Sequence, residues 1–200
     1  DNSNQYGDLV VGKWNGKNVD WQIIDGVPTD PVDQKAYNVK GFRGGQTASG
    51  DDVGLWTSIA LDSSGAPAIA YFDRTHKALK YAELNGKSWE ISTVQGEPNA
   101  DLGRYAKLHF EGDSPVIAYL AIEPSPSGFV KSGVRVARGD GNGGWSFEDV
   151  VVDDQTPCRA ELCTGGSICE AAGQCVAAGS TCGMCGTGQQ CVNEGAGDVC

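Results

Sequence analysis

A four-part pattern of short apolar runs and turns occurs twice in this chain of 200 residues, and it limits the fold more than any other feature. One full copy runs Trp56-Thr57-Ser58-Ile59-Ala60-Leu61-Asp62, turns at Ser63-Ser64-Gly65, and continues Pro67-Ala68-Ile69-Ala70-Tyr71-Phe72-Asp73. After Arg74 to Ala78 it resumes as Leu79-Lys80-Tyr81-Ala82-Glu83, turns at Asn85-Gly86, and closes with Trp89 to Val94. A second copy lies about 50 residues further on, with Tyr105 to Phe110, the Gly112-Asp113-Ser114 turn, Pro115 to Tyr119, Gly133 to Ala137 and Trp145 to Val151. Pro67 matches Pro115, Tyr71 matches Tyr119, and Trp89 matches Trp145. A half copy comes first: Asp8 to Lys13 corresponds to the third run, Asn15-Gly16 to the turn and Trp21 to Ile24 to the fourth.

Each run is short, alternates apolar with polar or small residues, and is bounded by a turn signal, which is the pattern of an antiparallel meander with one register. Asn85-Gly86 is the clearest hairpin mark, because a type I′ turn needs positive φ at both central residues. Four strands repeating at this spacing read as propeller blades, since each blade buries its faces only against its neighbours. A β-sandwich would not require the same turn, proline and tryptophan at matching places. The expectation is an all-β chain: a partial β-propeller over 1–153, followed by a small disulfide-rich module over 154–200. Within the first part come a half blade (7–26), a long loop (27–54) and two blades (55–96 and 103–152). Two and a half blades cannot close a ring, so the expected partner is a second polypeptide or a missing N-terminal segment that completes it.

The strings Ile69-Ala70-Tyr71-Phe72-Asp73, Leu79-Lys80-Tyr81-Ala82 and Asn85-Gly86-Lys87-Ser88-Trp89 resemble the tandem repeats of bacterial secreted β-propellers. Gly86-Lys87-Ser88-Trp89 is also similar to the tail of the Asp-box turn of sialidase-like propellers, whose leading Ser-x-Asp is replaced by Ala82-Glu83-Leu84. That turn is a structural device, so the resemblance, which covers roughly residues 7–152, implies fold and not sialidase activity. The C-terminal segment is similar to the cysteine-rich stalks of bacterial surface proteins.

Composition narrows the partners. A net charge of -11 works against binding a phosphate backbone, which needs clustered Lys and Arg, so nucleic acid is excluded. No apolar run is long enough to insert in a membrane, and the chain, opening at Asp1, reads as a mature or trimmed product. All eight cysteines fall between Cys158 and Cys200, in two sets: Cys158, Cys163, Cys169, Cys175 and Cys182, Cys185, Cys191, Cys200. Cys182-x-x-Cys185 lacks the second close pair or histidine that zinc would want, so the sets read as two small two-disulfide modules of an oxidising compartment, with pairing open. The location implied is extracellular or the bacterial cell surface.

In a propeller, the loops joining strands two and three share one face with those linking successive blades, and such loops carry binding sites. Here they are about 26–55, 96–104, 73–78 and 121–132. The candidate ligand-binding residues are Arg43, Asp51, Asp52, Trp56, Asp73, Arg74, His76, Arg104, Tyr105 and Glu123, an aromatic and charged mix suited to a glycan or protein ligand. No catalytic set stands out. A Ser-His-Asp arrangement would have to use His76 or His109, and His109 reads as packed or pore-facing. Asp51, Asp73 and Glu123 could serve a glycosidase only if two of them flanked the scissile bond. Asp140-Gly141-Asn142-Gly143-Gly144 begins like a calcium loop, yet Val151 stands where the twelfth-position Glu belongs, and a glycine-rich hairpin turn explains the run. No cofactor is expected, calcium being the one candidate. The leading expectation is a non-enzymatic binding or adhesion protein, against a glycoside-acting propeller fragment or a structural subunit of a surface assembly.

Overall fold

The computed structural model describes residues 7–27, 50–125, 128–159, 162–164, 166–170 and 173–177, with the backbone of 192–193 and 198–199. Every regular element among them is a strand apart from a single 3-10 residue at Leu162. β1 (Leu9–Trp14) and β2 (Val19–Asp25) form a two-stranded sheet. β3 (Val53–Leu61), β4 (Pro67–Asp73), β5 (Ala78–Asn85) and β6 (Ser88–Gln95) form a second sheet, in chain order and antiparallel throughout. β7 (Asp101–Glu111), β8 (Ser114–Pro124), β9 (Val130–Gly139) and β10 (Trp145–Thr156) form a third of the same kind. Two short hairpins follow, β11 (Ser167–Cys169) with β12 (Cys175–Ala177) and β13 (Val192–Asn193) with β14 (Asp198–Val199).

The all-β class and the antiparallel four-stranded units agree with the sequence pattern, while the described sheets do not close on one another. Two bounds shift. The repeat begins upstream of Trp56 and Tyr105, at Val53 and Asp101, so both aromatics and Arg104 lie inside strands. The expected loop 121–132 shrinks because β8 and β9 run into it, which puts Glu123 on a strand. The Asp140 turn is a hairpin tip in which the carboxylate Oδ1 accepts from the Asn142 and Gly144 amides at 2.8 and 2.9 Å, closing the turn on itself.

The core lies between sheets. Leu9, Val53, Ile69, Tyr71 and Ala82 pack the first sheet on the second, with Val11, Ile24 and Trp89 alongside. Ala68, Ala70, Leu79, Tyr81 and Val94 of the second sheet meet Leu102, Ala106, Leu108, Ile117, Tyr119 and Ala137 of the third. Each interface repeats the same two devices. In the first, Val53 N donates to Gly7 O and Leu102 N donates to Lys77 O, both at 2.9 Å, which lays the start of one sheet along the entry to the third strand of the sheet before it. Gly54 (φ 82°) and Gly103 (φ 115°) there sit against the Cα atoms of Leu9 and Leu79, an approach that leaves no room for a Cβ at Gly103.

The second device is a latch. The Tyr71 hydroxyl donates to Asp25 at 2.7 Å, and the Tyr119 hydroxyl donates to Gln95, each tyrosine reaching the last residue of the preceding sheet. The cation paired across from each tyrosine joins the same residue: Lys80 bonds Asp25, and Arg135 bonds Gln95. Burial, reinforced by Asp25, pushes the Tyr71 hydroxyl far up, so it stays a donor across the working pH range.

The cysteine-rich segment packs onto the β8–β9 hairpin, where Ile122 and Val130 are buried with Cys158 and Cys163. Disulfides join Cys158 to Cys169 and Cys163 to Cys175, both within the first of the two sets read from the sequence. Cys182, Cys185, Cys191 and Cys200 lie outside the described residues.

Candidate functional site

Strand direction puts the 74–77 and 96–100 connections, and the described ends of the 26–52 and 125–129 connections, at one end of the sheets. Nine of the ten candidate residues are described, and they fall into three groups there; Arg43 lies outside the described residues.

The first group surrounds the β4–β5 turn. Asp73, 2% exposed, accepts from the His76 amide and holds the His76 Nδ1, both at 2.9 Å, and Lys80 Nζ lies 3.9 Å away. Asp51 reaches within 3.9 Å of the same Nδ1. The hydrogen bond from Asp73 outweighs burial and raises the His76 pKa above 6.5, favouring imidazolium. Asp52 is structural: its carboxylate accepts from the Gly7 amide at 2.8 Å and Arg74 at 3.2 Å, while its amide donates to Thr75 at 2.7 Å. The ligand atoms of Asp51, Asp73 and His76 lie within 4.8 Å of one another, a spacing a divalent cation could use. Lys80 and imidazolium already supply counter-charge to this group.

The second group is aromatic. Trp56 and Tyr105 occupy matching places and adopt φ of 49° and 57°, a conformation that costs a bulky residue about 1–2 kcal/mol. Each lies within a strand irregularity, between Leu55 and Ser58 and between Arg104 and Lys107, where the pairing register shifts. The rings stand 4.8 Å apart, Phe72 lies 5.2 Å from Trp56, and the Arg104 guanidinium sits 5.5 Å from the Trp56 ring centre. Asp101 holds Arg104 in place through its Nε at 2.9 Å. The Tyr105 and Phe72 rings are tilted at 44° and 50° to that of Trp56, and Tyr105, 58% exposed, brings the cluster to solvent.

Glu123 belongs to a third group. It takes both nitrogens of Arg135 at 3.0 and 3.1 Å and Lys131 at 3.2 Å, and Arg135 also bonds Asp149. Burial works against the Glu123 carboxylate, and the bonds from Arg135 and Lys131 overcome it, holding its pKa below the usual range. Glu123 also lines a groove of about 260 Å³ bounded by Asn99, Phe129, Leu162 and Thr164, between the hairpin and the disulfide module. The carboxylates Asp51 and Asp73 therefore share a turn, whereas Glu123 is committed to its own ion-pair network. His109 stands on β7 with its side chain 60% exposed, 3.5 Å from Glu111.

Sequence reasoning missed Asp25, Lys80, Phe72 and Arg135. For two of them a signal was available: Lys80 in Leu79-Lys80-Tyr81-Ala82 and Arg135 in Val134-Arg135-Val136-Ala137 are matching cations in the third run of the two copies.

The chain matches no protein-family model, and no curated protein or solved structure is significantly similar to it. Fold and site together define an all-β protein of antiparallel four-stranded sheets, disulfide-bonded toward its C-terminus, with charged and aromatic side chains collected at one end.

Proposed function

We propose that this is an extracellular or bacterial cell-surface binding protein, non-enzymatic, whose sheets are blades of a secreted-type β-propeller and whose ligand is a glycan or a protein. The observation that carries the reading is the Trp56–Tyr105 pair. Two bulky residues held at positive φ, at matching places, with one ring 58% exposed, is backbone strain maintained where side chains are presented to solvent. A ring face takes the apolar side of a sugar, while Asp51, Arg74 and His76, partly or largely exposed at the same end of the sheets, fix orientation through hydrogen bonds. The disulfides agree with an oxidising compartment, and among the described residues no helix is long and apolar enough to cross a membrane.

The test is binding of the whole chain to a glycan array, with Tyr105→Asn as the variant. Asn tolerates the left-handed backbone, so ring loss is separated from misfolding. A drop in affinity of about tenfold or more supports the reading. Unchanged binding sinks the platform, and turnover of an arrayed glycan that vanishes in Asp73→Asn replaces it with the glycoside-acting alternative.

A further inference from the structure

Among the described residues the first sheet has two strands where the second and third have four, and side-chain exposure shows the consequence. β1 and β2 correspond to β5 and β6: Leu9 pairs with Asp25 and Leu79 with Gln95, each followed by the same one-step irregularity. Nothing among the described residues occupies the place that β3 and β4 hold beside β5.

That unoccupied place among the described residues has a counterpart on the second sheet. Ile59 and Leu61 on β3 correspond to Leu108 and Phe110 on β7, fixed by their partners Ile69, Pro67, Ile117 and Pro115. Leu108 is 8% exposed and Phe110 packs into the same cluster, covered by Ala60, Ala68 and Ala70 of β3 and β4. Ile59 and Leu61 are 60% and 61% exposed. Ile59 lies directly across from Ile69, so this apolar face continues the interface that Leu9, Ile69 and Tyr71 already form between the first two sheets.

We propose that the edge of β1 that no described strand occupies, together with Ile59 and Leu61, is an acceptor site for a two-stranded antiparallel hairpin of this same repeat, with small apolar side chains like Ala60, Ala68 and Ala70 toward Ile59 and Leu61. Main-chain bonds to β1 supply affinity, and the alternating small side chains supply register. A second copy of the chain is the poorer occupant, because β3 to β10 are each already paired within their own sheets. The site is independent of the ligand end, so its fate and that of the glycan reading are separable.

The experiment uses the full chain and, as donor, a peptide of residues 50–76, which carries the β3–β4 hairpin of this repeat. Amide exchange is followed over β1 and β3, with a scrambled peptide as control and the donor also fused ahead of residue 7 in case the free peptide self-associates. Donor in either form slows exchange of β1 amides that point away from β2 by about tenfold or more. The double variant Ile59→Asp/Leu61→Asp, at exposed positions, abolishes the slowing. Three results overturn the proposal: no protection from peptide or fusion, protection unchanged in the double variant, or β1 amides of the free chain already as protected as those of β5. Concentration-dependent dimerisation abolished by the same variant overturns it too, by assigning the face to a second copy.

Discussion

Replacing Gly103 with alanine tests the account of how the sheets dock. At φ 115° a side chain is strained whatever the space, and left-handed conformations cost about 1–2 kcal/mol for a residue with a Cβ. The new Cβ would also stand 2.8 Å from the Cα of Leu79, 2.9 Å from its Cβ and 3.0 Å from its nitrogen. Leu79 is fully buried in a central strand, so relief has to come from moving one sheet off the other, an overpacking cost of about 1–3 kcal/mol. The sum, about 2–5 kcal/mol, is a large share of the roughly 5–15 kcal/mol that holds a typical domain. Gly112→Ala is the control, because Gly112 has φ 64° with nothing within 4 Å and suffers the backbone term alone. Urea unfolding of both variants, followed by tryptophan fluorescence, gives the difference. If Gly103→Ala loses no more stability than Gly112→Ala, the close approach of β7 to Leu79 does not control sheet docking.

Three further outcomes are expected. The His76 pKa, read by NMR titration of the imidazole, lies above 6.5 and falls toward it in Asp73→Asn; because the shift is upward, the pair stabilises fully below pH 6.5 and ceases to as pH rises through the folded value. Arg135→Met removes the more buried of the two cations shared by Glu123 and Asp149, leaving them Lys131, and destabilises by about 1–3 kcal/mol, discounted for the partial exposure of both carboxylates. Both carboxyls are held below 4.5 and 3.8, so their contribution is present above those values and lost as pH falls through the folded ones; thermal melts of the variant should flatten over that acid range. Non-reducing peptide mapping should link Cys158 with Cys169 and Cys163 with Cys175, and a Cys158–Cys163 peptide would contradict the packing of that module.

The strands were legible because alternation and turns are local. Pro67 to Asp73 was read to the residue, and Asn85-Gly86 marked its hairpin. The site was legible only as a list. Asp73 and His76 are three residues apart and their bond follows from the turn between them, but the bond from Tyr71 to Asp25 spans 46 positions and depends on how sheets stack. Glu123 falls in a loop when the second run is ended at Tyr119 and the third begun at Gly133, yet the cross-strand pairing of Glu123 with Lys131 extends the ladder through it. Starting the two full copies at Trp56 and Tyr105 leaves out Gly54 and Gly103, the glycines that make the contact between sheets.

The tyrosine latches separate two quantities that are usually coupled in a folded chain. The second and third sheets are joined by 5 residues (96–100) and the first and second by 27 (26–52), yet Asp25 and Gln95 are gripped by the same tyrosine and cation positions. Spacing between sheets is thus set at the strand ends and not by the tether that follows them. Selection can lengthen, shorten or rewrite a connection at that end without re-registering the framework, which gives this architecture room for new surface chemistry at little structural risk.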